Sequence, residues 1–168
     1  MLNRHTIAPI YDAFSKILIL GSFPSVISRA ENFYYANPQN RFFSVISAIY
    51  NAEFPKNVKE KKKLLLMNNI ALWDVIAQCE IDGSSDSSIK NATPNDLSCI
   101  LTSTSIERIF TNGKTAGALY DKFLWPITRR EAVILPSTSP ANAAWSLPRL
   151  IEAWSVILND GFPDKILP

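Results

Sequence analysis

Read for polarity alone, the chain alternates short apolar blocks with longer stretches where apolar residues recur every three or four positions. Ile17-Leu18-Ile19-Leu20 is an uninterrupted block ended by Gly21, the pattern of a strand covered on both faces. Ile70 to Trp73, Ile106 to Phe110 and Val133 to Leu135 form three further blocks, the second of these followed by Asn112-Gly113 and the last stopped by Pro136. Between them the period changes. Phe42, Ile46, Ile49 and Tyr50 lie on one helical face, with Asn40 placed to cap it. Lys59 to Asn68 and Asp96 to Thr102 read as further helices, and Ala116, Leu119, Tyr120 and Phe123 mark another. Leu147, Leu150, Ile151, Trp154 and Leu158 mark the last, entered near Pro148 and left at Gly161. Apolar blocks alternating with helical periods predict an α/β fold: a three-layer α/β/α sandwich around a short, mostly parallel four-stranded sheet. A chain of 168 residues is expected to form one domain spanning 1–168.

Three segments fall outside these elements: 22–39, the Ser-, Asn- and Asp-rich stretch 82–95, and 136–145. Loops of such length in a small domain usually carry function. In open α/β sheets ligands bind beyond the carboxyl ends of the strands. The first and third segments both leave strand ends there, so they are expected to line one crevice.

Composition narrows the chemistry. With 47% hydrophobic and 19% charged residues the chain is globular. Seventeen Lys and Arg against fifteen Asp and Glu leave a net charge of +2, so any contact with a polyanion must come from a local patch. Lys56, Lys59, Lys61, Lys62 and Lys63 make a basic run, but a solvated helix face accounts for it better than a binding site does; Arg29, Arg41 and Arg149, near the candidate loops, are the preferred phosphate contacts. Cys79 and Cys99 lack paired spacing and read as buried, reduced thiols. Two Cys and one His do not suffice for an ordinary zinc or iron–sulfur site, so no metal and no cofactor are expected. His5 lies outside every motif and is expected at the surface. With no signal peptide and no long apolar run, the expectation is a cytoplasmic, membrane-free protein, read as a monomer.

Gly113-Lys114-Thr115 resembles the end of a phosphate-binding loop, but Arg108 stands where that loop needs its first glycine. What holds is a pair of segments. The first is Gly21-Ser22-Phe23-Pro24 with Tyr34-Tyr35-Ala36-Asn37-Pro38-Gln39-Asn40-Arg41-Phe42-Phe43; the second is Leu135-Pro136-Ser137-Thr138-Ser139-Pro140-Ala141-Asn142-Ala143. Aromatic faces stack on bases and amides bond base edges. Hydroxyls and backbone N–H groups hold phosphate oxygens without charge.

At these residues the chain resembles the uracil-DNA glycosylase superfamily, most closely its hypoxanthine-DNA glycosylase branch. Leu72-Trp73-Asp74-Val75, Gly83-Ser84-Ser85-Asp86, Asn95-Asp96 and Asn112-Gly113-Lys114-Thr115-Ala116 add to the match, which spans roughly residues 17 to 145. The resemblance implies a monofunctional glycosylase that flips a deaminated base, hypoxanthine preferred, out of DNA and hydrolyses its glycosidic bond. It implies Asn40 and Asp74 as catalytic residues, and Gly21, Ser22, Phe23, Tyr35 and Trp73 around the base. Ser137, Thr138, Ser139, Asn142 and Arg41 would hold the DNA strand. Phe23 stands where the strongest uracil removers carry Asp or Asn, which shifts the burden to Asn40 or Asp74. A uracil-directed enzyme and a catalytically weak DNA-binding module remain as alternatives.

Overall fold

The computed structural model describes residues 1–159. Its centre is a four-stranded parallel sheet built from β2 (Ile17–Gly21), β3 (Ile70–Asp74), β6 (Arg108–Asn112) and β7 (Ala132–Leu135), in the order β3-β2-β6-β7. The expected blocks are these strands; only β6 is displaced, running two residues further, to Asn112. Alternation along β2 sorts two cores. Ile17 and Ile19 face a cluster with Phe42, Ile46, Leu65, Leu150 and Trp154. Leu18 and Leu20 face another with Ile76, Ile100, Tyr120 and Leu124. All five β2 residues are buried, as a strand sandwiched between layers requires.

The first core is covered by α2 (Phe42–Ile49), α3 (Val58–Met67) and α7 (Leu147–Trp154), and the second by α4 (Ser98–Ser103) and α5 (Lys114–Phe123). The protein is therefore the expected three-layer α/β/α sandwich. Asn57 caps α3 by accepting from the Glu60 N–H, and Ser146 caps α7 by accepting from Arg149. A short 3₁₀ turn, Ser155–Leu158, continues α7; the expected stop at Gly161 lies outside the described residues.

Three expectations need correction, and one element is added. The segment 22–39 is not all loop: α1 (Val26–Glu31) lies in it, capped by Ser25. The segment 82–95 contains a 3₁₀ turn, Asp86–Ser88, and β5 (Lys90–Pro94). This strand joins β1 (Leu2–Arg4) and β4 (Ile76–Glu80) in an antiparallel sheet of order β1-β4-β5. β1 and β5 are short and polar, and β4 mixes buried Ile76 and Cys79 with Gln78 and Glu80, so none carries a strong period. A further one-turn helix, α6 (Trp125–Thr128), follows α5. Finally, Cys79 is buried but Cys99 is exposed.

Two groups behind the segment 136–145 hold it in place. The Trp154 indole, fully buried, donates from Nε1 to the Pro136 carbonyl at 2.9 Å. Arg41 spreads its guanidinium under the same segment, donating to the carbonyls of Trp145, Ser139 (2.9 Å) and Asn142 (3.1 Å), while its own N–H bonds the Thr138 carbonyl. A planar fork with several fixed donors suits this task; an ammonium group does not.

Trp154→Ala is expected to cost about 3–5 kcal/mol and lower the melting temperature by roughly 10 °C, read by thermal unfolding. Arg41→Lys keeps the charge but loses the fork, so amide exchange in residues 137–145 is expected to speed up at least tenfold, against unchanged exchange in β2 and β3.

Candidate functional site

A cleft of about 980 Å³ opens at the carboxyl ends of β2, β3, β6 and β7, at the upper end of the ~300–1,000 Å³ common for small-ligand sites. Its walls come from 21–40, 84–87, 112–115 and 134–145. The two segments expected to meet do so. Asn40 Oδ1 accepts from the Phe42 N–H (2.9 Å) and from the Thr138 hydroxyl (2.9 Å). Thr138 Oγ1 in turn accepts from Asn112 Nδ2 (2.9 Å), and Asn112 Oδ1 accepts from the Thr138 N–H (3.0 Å). Backbone N–H groups at both ends can only donate, which fixes the orientation of both amides. Asn40 is left with its Nδ2 donor for the cleft. The cap position of α2 is Arg41, one residue later than expected, yet Asn40 still satisfies an N–H of the first turn.

At the floor, Gly21 and Asp74 are paired neighbours on β2 and β3. A Cβ on Gly21 would sit 2.3 Å from Asp74 Oδ1 and 3.2 Å from the Tyr35 hydroxyl, so only glycine admits these groups there. Asp74 is 4% exposed. Its Oδ2 lies 2.7 Å from His5 Nε2, and its main-chain carbonyl accepts from Asn95 Nδ2. His5 is thus not a surface residue: its side chain is 1% exposed, set among Phe23, Tyr34 and Trp73. The expectation failed because β1 carries His5 into the site across a sequence separation of 69, which no local pattern reveals.

Tyr35 adopts φ +50°, the left-handed region. Its ring stacks on Phe42 at 4.2 Å, and its buried hydroxyl has no hydrogen-bond partner. Burial, and then the charge of Asp74, push the hydroxyls of both Tyr34 and Tyr35 well above the ordinary phenol range. Both rings are therefore neutral.

Asp86 forms another wall of the cleft. Its Oδ2 accepts from the Ser22 hydroxyl at 2.6 Å. Burial raises its carboxyl above the usual range, the Ser22 bond opposes this, and the charge of Asp74 adds to it. Asp86, Asn112 and His5 were not singled out from the sequence; the first two lie in matched segments, where their Asp and Asn character was the available signal.

The other expected residues divide. Gly21, Ser22, Phe23, Tyr35, Asn40, Asp74, Ser137, Thr138, Ser139 and Asn142 line the cleft. Trp73 and Arg41 are not on its wall: Trp73 packs against both cores, and Arg41 holds the loop from behind. Arg29 donates to the Pro24 carbonyl and covers the Phe23 ring, while Arg149 donates to the Ala144 carbonyl and covers Trp145 at 4.4 Å. None of the Lys56–Lys63 lysines lines the cleft; Lys61 instead covers Phe43. At the other side, Gly113 (φ +97°) opens α5 and brings its first residues, Lys114 and Thr115, to the wall. No group of three metal-ligating side chains occurs among the described residues, and no helix there is long and apolar enough to cross a membrane.

Comparison with known proteins agrees with this arrangement. A family model described as the uracil DNA glycosylase superfamily matches residues 8–158. A hypoxanthine DNA glycosylase of Methanosarcina acetivorans is 35% identical over 150 residues, covering 88% of this chain and 93% of that one. A protein of the same name from Methanosarcina barkeri is 31% identical over 146 residues, covering 84% and 89%. The solution structure of a Methanosarcina acetivorans protein provisionally named a uracil DNA glycosylase superimposes with a TM-score of 0.79 at 33% identity, covering 94% of this chain and 96% of that one. With a match across nearly its whole described length and a cleft where the matched segments converge, the chain belongs to the uracil DNA glycosylase superfamily.

Proposed function

We propose that the protein is a monofunctional DNA glycosylase that removes hypoxanthine from DNA, leaving an abasic site, and that it acts as a single-domain monomer in the cytoplasm. The relatives named hypoxanthine DNA glycosylase support the activity and the base. The observation that carries the reading is the joined cleft, in which Asn40, Asp74, Asp86, Ser137 and Ser139 line one space. A flipped purine nucleotide fits this space, with Tyr35 and Phe23 as its apolar walls. The hydroxyls and the start of α5 receive the strand phosphates.

Hydrolysis breaks the C1′–N9 bond, sends its electron pair to the base and adds water to an oxocarbenium-like sugar. The leaving base needs donors, and the water needs an acceptor for its proton. Asn40 has only its Nδ2 group to offer, because two donors already occupy its carbonyl; it therefore donates, to the base or to the water oxygen. Asp86 has a carboxylate oxygen not taken by Ser22 and a raised affinity for protons, the properties of a general base. Asp74, at the floor, faces the edge of the base.

The direct test uses duplex oligonucleotides bearing inosine, uracil or xanthine, followed by alkali. Strand cleavage at inosine is expected; binding to all three with no abasic product would end the enzymatic reading. Asn40→Ala and Asp86→Asn are each expected to slow single-turnover release of hypoxanthine about a hundredfold. In the wild type the rate should rise with pH through a step above the ordinary carboxylate range, and Asp86→Asn should remove that step. Stability should run the opposite way. Because folding raises the proton affinity of Asp86, its favourable contribution is complete at low pH and lost as pH rises through the folded-state value. Asp86→Asn should thus melt above the wild type at neutral pH, with the difference closing below the range of a free carboxylate.

A further inference from the structure

We propose that His5 is a positioning residue that fixes Asp74 as a hydrogen-bond acceptor at the cleft floor, and that this acceptor receives the N1–H of hypoxanthine. The inference rests on the glycosylase reading above and adds a residue and an atomic basis for base choice. It begins with the two nitrogens of His5. Nδ1 lies 3.2 Å from the Ile7 N–H, which can only donate, so Nδ1 holds a lone pair. The ring proton is then on Nε2, 2.7 Å from Asp74 Oδ2. His5 thus donates from Nε2 to the Asp74 carboxyl, in a pocket where its side chain is 1% exposed. Removed from water, such a bond is strong and well aligned.

One oxygen of Asp74 is therefore committed. The other, Oδ1, abuts Gly21 and has no hydrogen-bond partner among the described residues. A carboxylate bonded in this way cannot turn over to present a donor. Hypoxanthine and adenine share their ring system and differ at one edge: hypoxanthine carries an N1–H beside a carbonyl, adenine a bare N1 beside an amino group. An acceptor held opposite N1 receives the N–H of hypoxanthine and meets a lone pair on adenine, whose amino donor lies one position further along the edge. Guanine has the same N1–H, so this contact discriminates against adenine alone. The residues that contain this edge chemistry are few: besides His5, the ionisable groups around Asp74 are Tyr34, Tyr35 and Asp86, and both tyrosines are neutral.

The test exploits the amide that mimics the carboxylate. In Asp74→Asn, the His5 N–H still demands an oxygen, so the amide must turn its carbonyl to His5 and its NH₂ to the base, the wrong group for an N1–H. Single-turnover excision at inosine is expected to fall a hundredfold or more. His5→Phe alone keeps the ring volume, removes the donor and should cost tenfold or more, while His5→Gln, which restores a donor, should stay within about threefold of wild type. The decisive variant combines Asp74→Asn with His5→Phe. Freed from His5, the amide can present its carbonyl to the base, and excision should recover at least fivefold over Asp74→Asn alone. A histidine that merely packs predicts a double variant worse than either single one. If thermal unfolding shows the Phe variants unfolded, Asp74→Asn with His5→Gln serves instead, because a glutamine amide can also reverse. Wild-type excision with His5→Phe equally active, or a double variant no better than Asp74→Asn, overturns this proposal while leaving the glycosylase reading intact. A wild type inert on inosine overturns that reading itself.

Discussion

The site depends on one short chain of hydrogen bonds, Asn112 to Thr138 to Asn40, closed at both ends by backbone N–H groups. Thr138 is fully buried, so each of these polar atoms would be costly if left alone. The relay therefore acts as a specification as much as a source of stability. It brings together segments 98 residues apart, determines which end of each amide faces the cleft, and ties both to the end of β6. The Arg41 fork and the Trp154 indole reinforce the same loop from the side away from the cleft. Support from behind leaves the hydroxyl face of residues 137–142 open.

Much of this was legible in the residues. Strands buried on both faces announce themselves as unbroken apolar runs, and β2, β3 and β7 were read to within a residue for that reason. Glycine at the end of β2 and the Asn- and hydroxyl-rich loops marked the crevice, because α/β sheets bind at their carboxyl edge. What escaped was whatever lacks a period. The β1-β4-β5 sheet is made of short strands with shifted register between β4 and β5, and α6 is a single turn. His5 escaped for a different reason: its meaning is a contact, and a contact between positions 5 and 74 has no local signature. Arg41 shows the converse. Its type and place suggested a phosphate ligand, but its donors are used by carbonyls of its own chain, a competition that only three-dimensional placement decides.

The cleft floor concentrates negative charge in a space meant for a polyanion. Asp74 and Asp86 both line it, and the charge of Asp74 makes Asp86 harder to ionise. The two have different partners. Asp74 accepts from a histidine ring; Asp86 accepts from a serine hydroxyl, which only partly opposes the rise in proton affinity that burial imposes. Under the glycosylase reading proposed above, the two take unequal tasks, one accepting from the base and one exchanging a proton. A sugar cation forming near Asp86 and the DNA phosphates would meet anionic groups, which lowers its energy more than that of the neutral nucleoside.

The left-handed backbone of Tyr35 carries a last consequence. A side chain bearing a Cβ is strained there by roughly 1–3 kcal/mol, and the buried hydroxyl finds no partner to offset it. Glycine at position 35 would relieve the backbone but remove the ring stacked on Phe42. Losing a packed aromatic costs about 3–5 kcal/mol, more than that relief, so the ring that shapes the cavity is also what keeps its own backbone in the strained conformation.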